Sequence, residues 1–387
     1  MARIILMTDF AEAYARRLLL GIAEFARNEH EAWSLSRLPI STKEKVGIPG
    51  LVEYAVSTHA DAIIGQFDHS DDISLFKKAG IIVIAQDFRQ RFIDIPNITA
   101  NHFEAGKLGA EYFLKKGFNS FAFYGPKDVV FSEERCEGFR ETVKQVRPDA
   151  MVSSLLVNGN GIWGYDMDEL ELWLSYLPKP VAIMACDDSW ACYITEFCQT
   201  ARFNNPRASF RIPEDIAVLG VDNDEPICKL SYPNLSSIDQ DVEKAGFKVA
   251  KMISEMIANP GYPVDNIYVK LGNVITRQSS DVFVNDDPYI ARVLKYIHEN
   301  LNQKLSVDDI VAQVPLSRRL LEVRFRSRMG TSIYNYIKNV RVEKMAELLK
   351  NGMTVSEAAF DLGFGDIKNI SRIFKSVKGV APSDYLK

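Results

Sequence analysis

From Arg3 to about Gly272 the chain alternates unbroken apolar runs with longer stretches whose apolar residues recur every three or four positions. Ile4–Met7, Ala62–Gly65, Ile81–Ile84, Ser120–Tyr124, Val181–Ala185 and Ile216–Val221 are runs of strand length. The spacing predicts helices around Glu12–Asn28, Phe103–Lys116, Glu133–Val146, Asp166–Leu177, Ser189–Ala201 and Val242–Ile257. In the first of these, Leu18, Leu19, Ile22 and Phe25 face inward. Apolar strands alternating with helices call for parallel sheets covered on both faces. About 270 residues of this pattern exceed one usual sheet, so an α/β region of two lobes is expected.

After Asp287 the pattern becomes helical throughout. Ile290, Val293, Leu294 and Ile297 lie on one helical face. Ser306 and Asp309 resemble a capping box at the start of a short helix, and Val314-Pro315-Leu316 is a turn. Ser317 then caps a helix that Leu320, Leu321 and Phe325 hold down, leaving Arg318, Arg319, Glu322 and Arg326 outward. The scheme repeats. Thr354 and Glu357 form a second capping box, Gly363 ends that helix, Phe364 packs back, and Asp366 opens the next. Its inner face is Ile370, Ile373 and Phe374, and its outer face carries Lys368, Asn369, Ser371, Arg372 and Lys375, with Gly379 as the stop. The two units are joined by Ser332–Lys350, which at 1.5 Å per residue spans about 28 Å, close to the ~34 Å of a DNA turn. Outward basic helices at that separation suit successive major grooves.

Net charge alone does not suggest nucleic acid, since the chain stands at −5. From Asn285 onward, however, there are 17 Lys and Arg against 12 Asp and Glu, so the remainder is acidic. Between the regions, Ser279–Pro288 reads as a short polar linker with a small apolar patch, giving domains at 1–278 and 289–387. Five cysteines without a CxxC pattern fit packing in a reducing cytosol rather than disulfides or zinc. Met1–Asp9 is too short an apolar run for a leader or membrane span and reads as a first strand. GxGxxG, Walker A and Gly-x-Ser-x-Gly motifs are absent and the five histidines are scattered, so neither an enzyme nor a cofactor is expected.

Ligands of parallel α/β sheets bind beyond the carboxyl ends of the strands. Thr8-Asp9, Gln66 and Asp68, Gln86-Asp87, Asp187-Asp188 and Asp222-Asn223 all stand there. Each could instead cap the following helix, but their recurrence points to a polyhydroxylated ligand, whose paired hydroxyls carboxylates accept.

Two resemblances follow from these residues. Gly363-Phe364, Arg372–Lys375, Gly379 and Pro382–Tyr385, with Ser317–Leu320, Phe325-Arg326, Tyr336-Ile337 and Arg341, resemble the signature of AraC-type transcriptional regulators. Asn369-Ile370 and Ala358-Ala359 depart from its usual residues. The long N-terminal region resembles the core shared by LacI-type repressors and periplasmic binding proteins. The likeness rests on Asn101 with Ala105-Gly106, Gly109–Phe113, Lys116–Phe118, Arg135 before Gly138-Phe139, Ala185–Asp188, Ile212–Asp222 and Arg277–Ser279. Ala100 stands where that core usually has Asp, and Asp187 where it has Asn.

The resemblance implies that Arg135 and Asp222 contact a sugar, with Asp187 beside them, and the strand-end positions add Asp9, Gln66 and Asp68 from the other lobe. It implies a cytoplasmic, sugar-responsive regulator of pentose utilisation. The implied partners are operator DNA, a small sugar, a second copy of the chain and RNA polymerase. A different monosaccharide or derivative as effector is the alternative, and a non-regulatory sugar-binding protein is the next. A transport binding protein predicts a leader and no basic tail.

Overall fold

The computed structural model describes residues 2–29, 32–158, 167–204, 210–259, 261–263, 265–303, 305–350, 352–362 and 367–385. The chain divides into two compact units, Met1–Asp281 and Val282–Lys387.

The first unit begins with β1 (Ala2–Met7), α1 (Ala13–Asn28), β2 (Trp33–Leu38), α2 (Ser41–Ser57), β3 (Ala62–Gly65), α3 (Ser74–Lys78), β4 (Ile82–Gln86) and β5 (Asn97–Ala100). The chain then enters a second lobe through α4 (His102–Lys115), β6 (Ser120–Pro126), α5 (Val130–Val146), β7 (Met151–Val157), α6 (Met167–Tyr176), β8 (Val181–Ala185) and α7 (Asp188–Asn204). That lobe continues through β9 (Ile216–Val221), α8 (Glu225–Leu230) and β10 (Ser236–Gln240). It returns with α9 (Val242–Ala258) and β11 (Ile267–Val269), and closes with β12 (Leu271–Ile275). The first sheet runs β11-β5-β4-β3-β1-β2 and the second β12-β10-β9-β8-β6-β7. The described pairings are parallel except that of β12 with β10.

Central strands are buried along their whole length because helices cover both faces. Every residue of β3, β6, β8 and β9 is buried. Edge strands β2 and β7 are only partly covered. On α1, Leu18, Ile22 and Phe25 are buried as their spacing predicts, while Leu19 is half-buried. The chain passes between lobes at 100–102, 240–242 and 269–271, and the Asp241 amide donates to the Lys270 carbonyl at 2.9 Å, tying the last two passages together.

The helix that carries Arg135 is set by close packing. A Cβ on Gly106 of α4 would stand 2.0 Å from the Arg135 carbonyl oxygen, and one on Gly138 of α5 would stand 2.0 Å from that of Phe103. Backbones approach this closely only where no side chain intervenes. Asn101 starts α4 by accepting from the Glu104 amide at 3.0 Å.

The second unit comprises α10 (Pro288–Glu299), α11 (Val307–Val311), α12 (Arg318–Met329), α13 (Ile333–Lys350), α14 (Val355–Asp361) and α15 (Ile367–Lys378). Both capping boxes form, Ser306 with Asp309 and Thr354 with Glu357. Gly330 ends α12 at φ 67° and Gly379 follows α15 at φ 79°, conformations that cost glycine little. The expected roles of Gly363, Phe364 and Asp366 lie outside the described residues. α13 serves two cores. Its Ile333 and Ile337 pack with Ile290, Leu321 and Phe325, whereas Val342, Met345 and Leu349 pack with Ala358, Ile370 and Phe374.

Two residues of the expected linker of 279–288 are held inside the units themselves. The Ser279 hydroxyl donates to the Val218 carbonyl at 2.7 Å inside the first unit, and Phe283 is buried in the second, 4.5 Å from the His298 ring.

Gly138→Ala forces α5 off α4 and should lower stability by about 1–3 kcal/mol. A urea-unfolding midpoint unchanged from wild type would show that this helix contact relaxes freely.

Candidate functional site

The strand ends of the first unit converge on a pocket between its lobes, enclosing about 620 Å³ of space, open solvent included. From the first lobe come Thr8, Asp9, Glu12, Tyr14, Gln66, Gln86, Asp87 and Thr99; from the second come His102, Phe131, Arg135, Asp187 and Asp222. Each acid follows a strand that the sheet aims at the cleft: Asp9 after β1, Asp87 after β4, Asp187 after β8 and Asp222 after β9.

Arg135 is 3% exposed. It donates from Nη1 to the Cys186 carbonyl, lies over the Phe131 ring at 5.3 Å, and keeps Nε without a protein partner. Asp187 Oδ1 accepts from the Trp190 amide at 3.0 Å, so it also caps α7. Asp222 accepts from the Gln240 amide and has φ 97°, a strained backbone for a residue with a Cβ, of the kind that collects at functional sites. Asp87 is the hub of the other wall. Its Oδ2 accepts from the Thr99 hydroxyl and lies 3.1 Å from His102 Nε2 and from Arg91 Nη2, while Oδ1 is buried without a partner.

Burial raises the carboxyls, and their mutual repulsion adds to it. Glu12 is pushed up to about 8 by burial and then by Asp187 and Asp222, and Asp187 to about 6 by burial and then by Asp222. Asp222 is raised by burial. Burial lowers His102 to about 4, so near neutrality its ring is uncharged. With Nε2–H donating to Asp87, its Nδ1 is an acceptor without a partner.

The lobes are also linked directly around the pocket. Arg91 of the first lobe grips Glu134 of α5 through both guanidinium nitrogens at 2.6 and 2.8 Å. Arg16 of α1 meets Asp224 at 2.7 Å, and the Ser189 hydroxyl of α7 donates to Glu12 at 3.1 Å.

In the second unit, α12 is the second helix of the first helix-turn-helix and α15 that of the second. Leu321 and Phe325 are fully buried, and Arg318, Arg319, Glu322 and Arg326 are exposed. Leu320 is 41% exposed and does not anchor the helix as its hydrophobicity suggested, because one helical step turns it away from Leu321. Arg318 bonds Asp308 at 3.0 Å and Glu322 at 3.2 Å. Arg324 reaches Asp287, the cap of α10, at 3.2 Å and so braces α12. On α15, Ile370 and Phe374 are buried, Ile373 and Ser371 are half-buried, and Arg372 and Lys375 are exposed. The side chains of Lys368 and Asn369 lie outside the described residues.

Comparison with known proteins matches both units. A model of the periplasmic binding protein-like domain matches residues 110–280, and one of the helix-turn-helix domain matches 310–387. The xylose operon regulatory protein of Escherichia coli K12 is 24% identical over 99% of this chain and 96% of its own length. The XylDLEGF operon transcriptional activator 2 of Pseudomonas putida is 32% identical over 27% of this chain and 69% of its own. The chain belongs to the AraC-type transcriptional regulators. A solved xylose-binding transcription activator shares the fold over 99% of this chain and 97% of its own, with a TM-score of 0.58 at 23% identity. A LacI-type regulator from Alkaliphilus metalliredigens, complexed with D-xylulofuranose, matches 72% of this chain and 99% of its own at 20% identity and a TM-score of 0.59.

Of the regulator's six expected ligand residues, Asp9, Gln66, Arg135, Asp187 and Asp222 share the pocket. Asp68 does not line it. It is held by Lys43 at 2.6 Å and Arg89 at 3.2 Å, with Lys43 also on Asp71 at 2.7 Å. A strand-end acid near two cations is drawn to them, and sequence distance hid Lys43. Glu12 and His102 were missed because each opens a helix, where the bland reading is a cap. The scattered histidines gave no sign that His102 meets Asp87.

Between about pH 4.5 and 8 the folded regulator holds a proton on Glu12 that the unfolded chain releases, and between about pH 4 and 6 it does so on Asp187 as well. Without effector, stability should therefore be greatest below these ranges and fall as pH rises through them. Glu12→Gln should flatten this decline. A variant whose melting temperature falls with pH as steeply as wild type would remove Glu12 from the cause.

Proposed function

We propose that this regulator senses a small sugar in the pocket between the lobes of its 1–278 domain and binds operator DNA through its 289–387 domain. The observation that carries the reading is the convergence of Asp9, Gln66, Arg135, Asp187 and Asp222 on one pocket. Pentoses, xylose first, are the effectors to test, because the full-length relatives are xylose operon regulators.

Effector contacts made by both lobes favour the closed form, and only such differential contact shifts the equilibrium. Arg91–Glu134 and Arg16–Asp224 hold that form together. Arg318, Arg319 and Glu322 of α12, and Lys368, Asn369, Ser371 and Arg372 of α15, face bases, while Arg326 and Lys375 meet phosphates. The Arg318–Glu322 pair is released toward DNA on binding. The regulator works in the cytoplasm as a homodimer on two half-sites, where avidity amplifies a modest lobe movement, and recruits RNA polymerase from there. Among the described residues no helix is long and apolar enough to cross a membrane.

Asp222→Asn keeps the Gln240 partner but removes a charged acceptor, and calorimetry should show roughly tenfold weaker sugar binding. An unchanged affinity would move the effector elsewhere. Arg319→Ala and Arg372→Ala should each cost about 1–3 kcal/mol on operator DNA and relax preference at one position. Fluorescence anisotropy showing both variants at wild-type affinity would reverse the orientation given to these helices.

A further inference from the structure

The pocket carries more negative charge than its own lining neutralises. Asp9, Asp87, Asp187 and Asp222 line it beside Glu12, whose carboxyl is kept protonated near neutrality by burial, and among the described residues Arg135 is the one guanidinium that lines it. Nearby arginines are engaged outside it. Arg16 is on Asp224 at 2.7 Å, Arg89 on Asp68 at 3.2 Å, and Arg91 on Glu134 at 2.6 Å and Asp87 at 3.1 Å. Arg17 bonds Asp239 and the Asp222 carbonyl, both at 3.1 Å, and Glu243 at 3.3 Å. Arg91 thus balances Asp87, while Asp187 and Asp222 face Arg135, with Arg17 adding to it at Asp222.

Hydrogen-bonding capacity points the same way. Gln86, Asp87 and His102 are 7%, 6% and 5% exposed, and Gln86 Oε1, Asp87 Oδ1 and His102 Nδ1 have no protein partner. Among the described residues that line the pocket, the buried nitrogen donor in the same condition is Arg135 Nε. The hydroxyls of a polyol donate to such acceptors, which leaves the remaining acids of the pocket for a cationic group.

We propose that the effector is a cationic sugar, a monosaccharide-sized polyol bearing a protonated amine that lies among Glu12, Asp187 and Asp222. The inference rests on the sugar-sensing reading of the pocket and narrows its ligand class. The hydroxyls of such a molecule meet Gln86, Asp87, His102 and Arg135, and its ammonium offsets the carboxylate repulsion that adds to burial in raising Glu12. Asp187 is the acid that tests this most cleanly. An asparagine there keeps an oxygen for the Trp190 amide, now bonded at 3.0 Å, so the start of α7 survives while the charge goes.

The test is calorimetry on the full-length protein at neutral pH with matched pairs: D-xylose and its ring-nitrogen analogue 1,5-dideoxy-1,5-imino-D-xylitol, D-glucose and D-glucosamine, D-galactose and D-galactosamine, D-mannose and D-mannosamine. Replacing a neutral hydrogen bond by a charge-assisted one should make at least one amine bind about tenfold tighter than its partner. In Asp187→Asn the ratio of amine affinity to neutral-partner affinity should shrink toward parity, both affinities being measured in the same variant. Neutral sugars that bind as tightly as their amines, or more tightly, would overturn the cationic ligand and leave the sugar reading standing. An amine preference undiminished in Asp187→Asn would overturn the placement of the ammonium. Absence of binding in both series would overturn the ligand class together with the sugar reading.

Discussion

A guanidinium buried to 3% exposure has to be balanced where it sits, and the first unit is arranged around that requirement at Arg135. Desolvating the charge is costly unless carboxylates and carbonyls surround it. The Cys186 carbonyl takes one nitrogen, the Phe131 ring lies beneath, and acids from four strand ends and from the start of α1 face the same space. Placing the cation correctly depends on α5, and the position of α5 depends on glycines that let it touch the backbone of α4. Arg135 thus links two residues chosen for the absence of a side chain to a cluster chosen for charge.

Because these acids come from both lobes, the electrostatics of the pocket is also the electrostatics of lobe closure. Carboxylates crowd one another across the cleft, while Arg91–Glu134 and Arg16–Asp224 draw the lobes together at its margins. The repulsion is the smaller because Glu12 keeps its proton near neutrality. The passages at 100–102 and 240–242 contain His102, which lines the pocket, and Gln240, which bonds the pocket's Asp222, so the pocket stands within a step or two of the backbone that joins the lobes.

The helical unit solves a different problem, presenting exposed basic helices without losing their attachment. α13 enters two small cores at its two ends, so each helix-turn-helix has its own apolar support. On α12 the support is Leu321 and Phe325 on one side and the Arg324–Asp287 pair on another, leaving Arg319 and Arg326 in solvent.

Much of this was legible in the chain itself. Central strands such as Val181–Ala185 and Ile216–Val221 are covered on both faces, so their unbroken hydrophobicity announces them. Both capping boxes were readable because a cap is decided within four residues. Edge strands β2 and β7 gave a weaker signal, since half-exposed positions accept polar residues. What local pattern could not decide was which acid keeps its charge for a ligand. Asp68 and Asp87 both follow strands, yet Asp68 is held by Lys43, 25 residues away in sequence, and stays outside the pocket, while Asp87 lines it. Glu12 and His102 likewise acquire their roles only when the two lobes meet. Sequence determines burial and caps because they depend on near neighbours and on solvent; tertiary structure decides the pairing of charges, because charges pair across space.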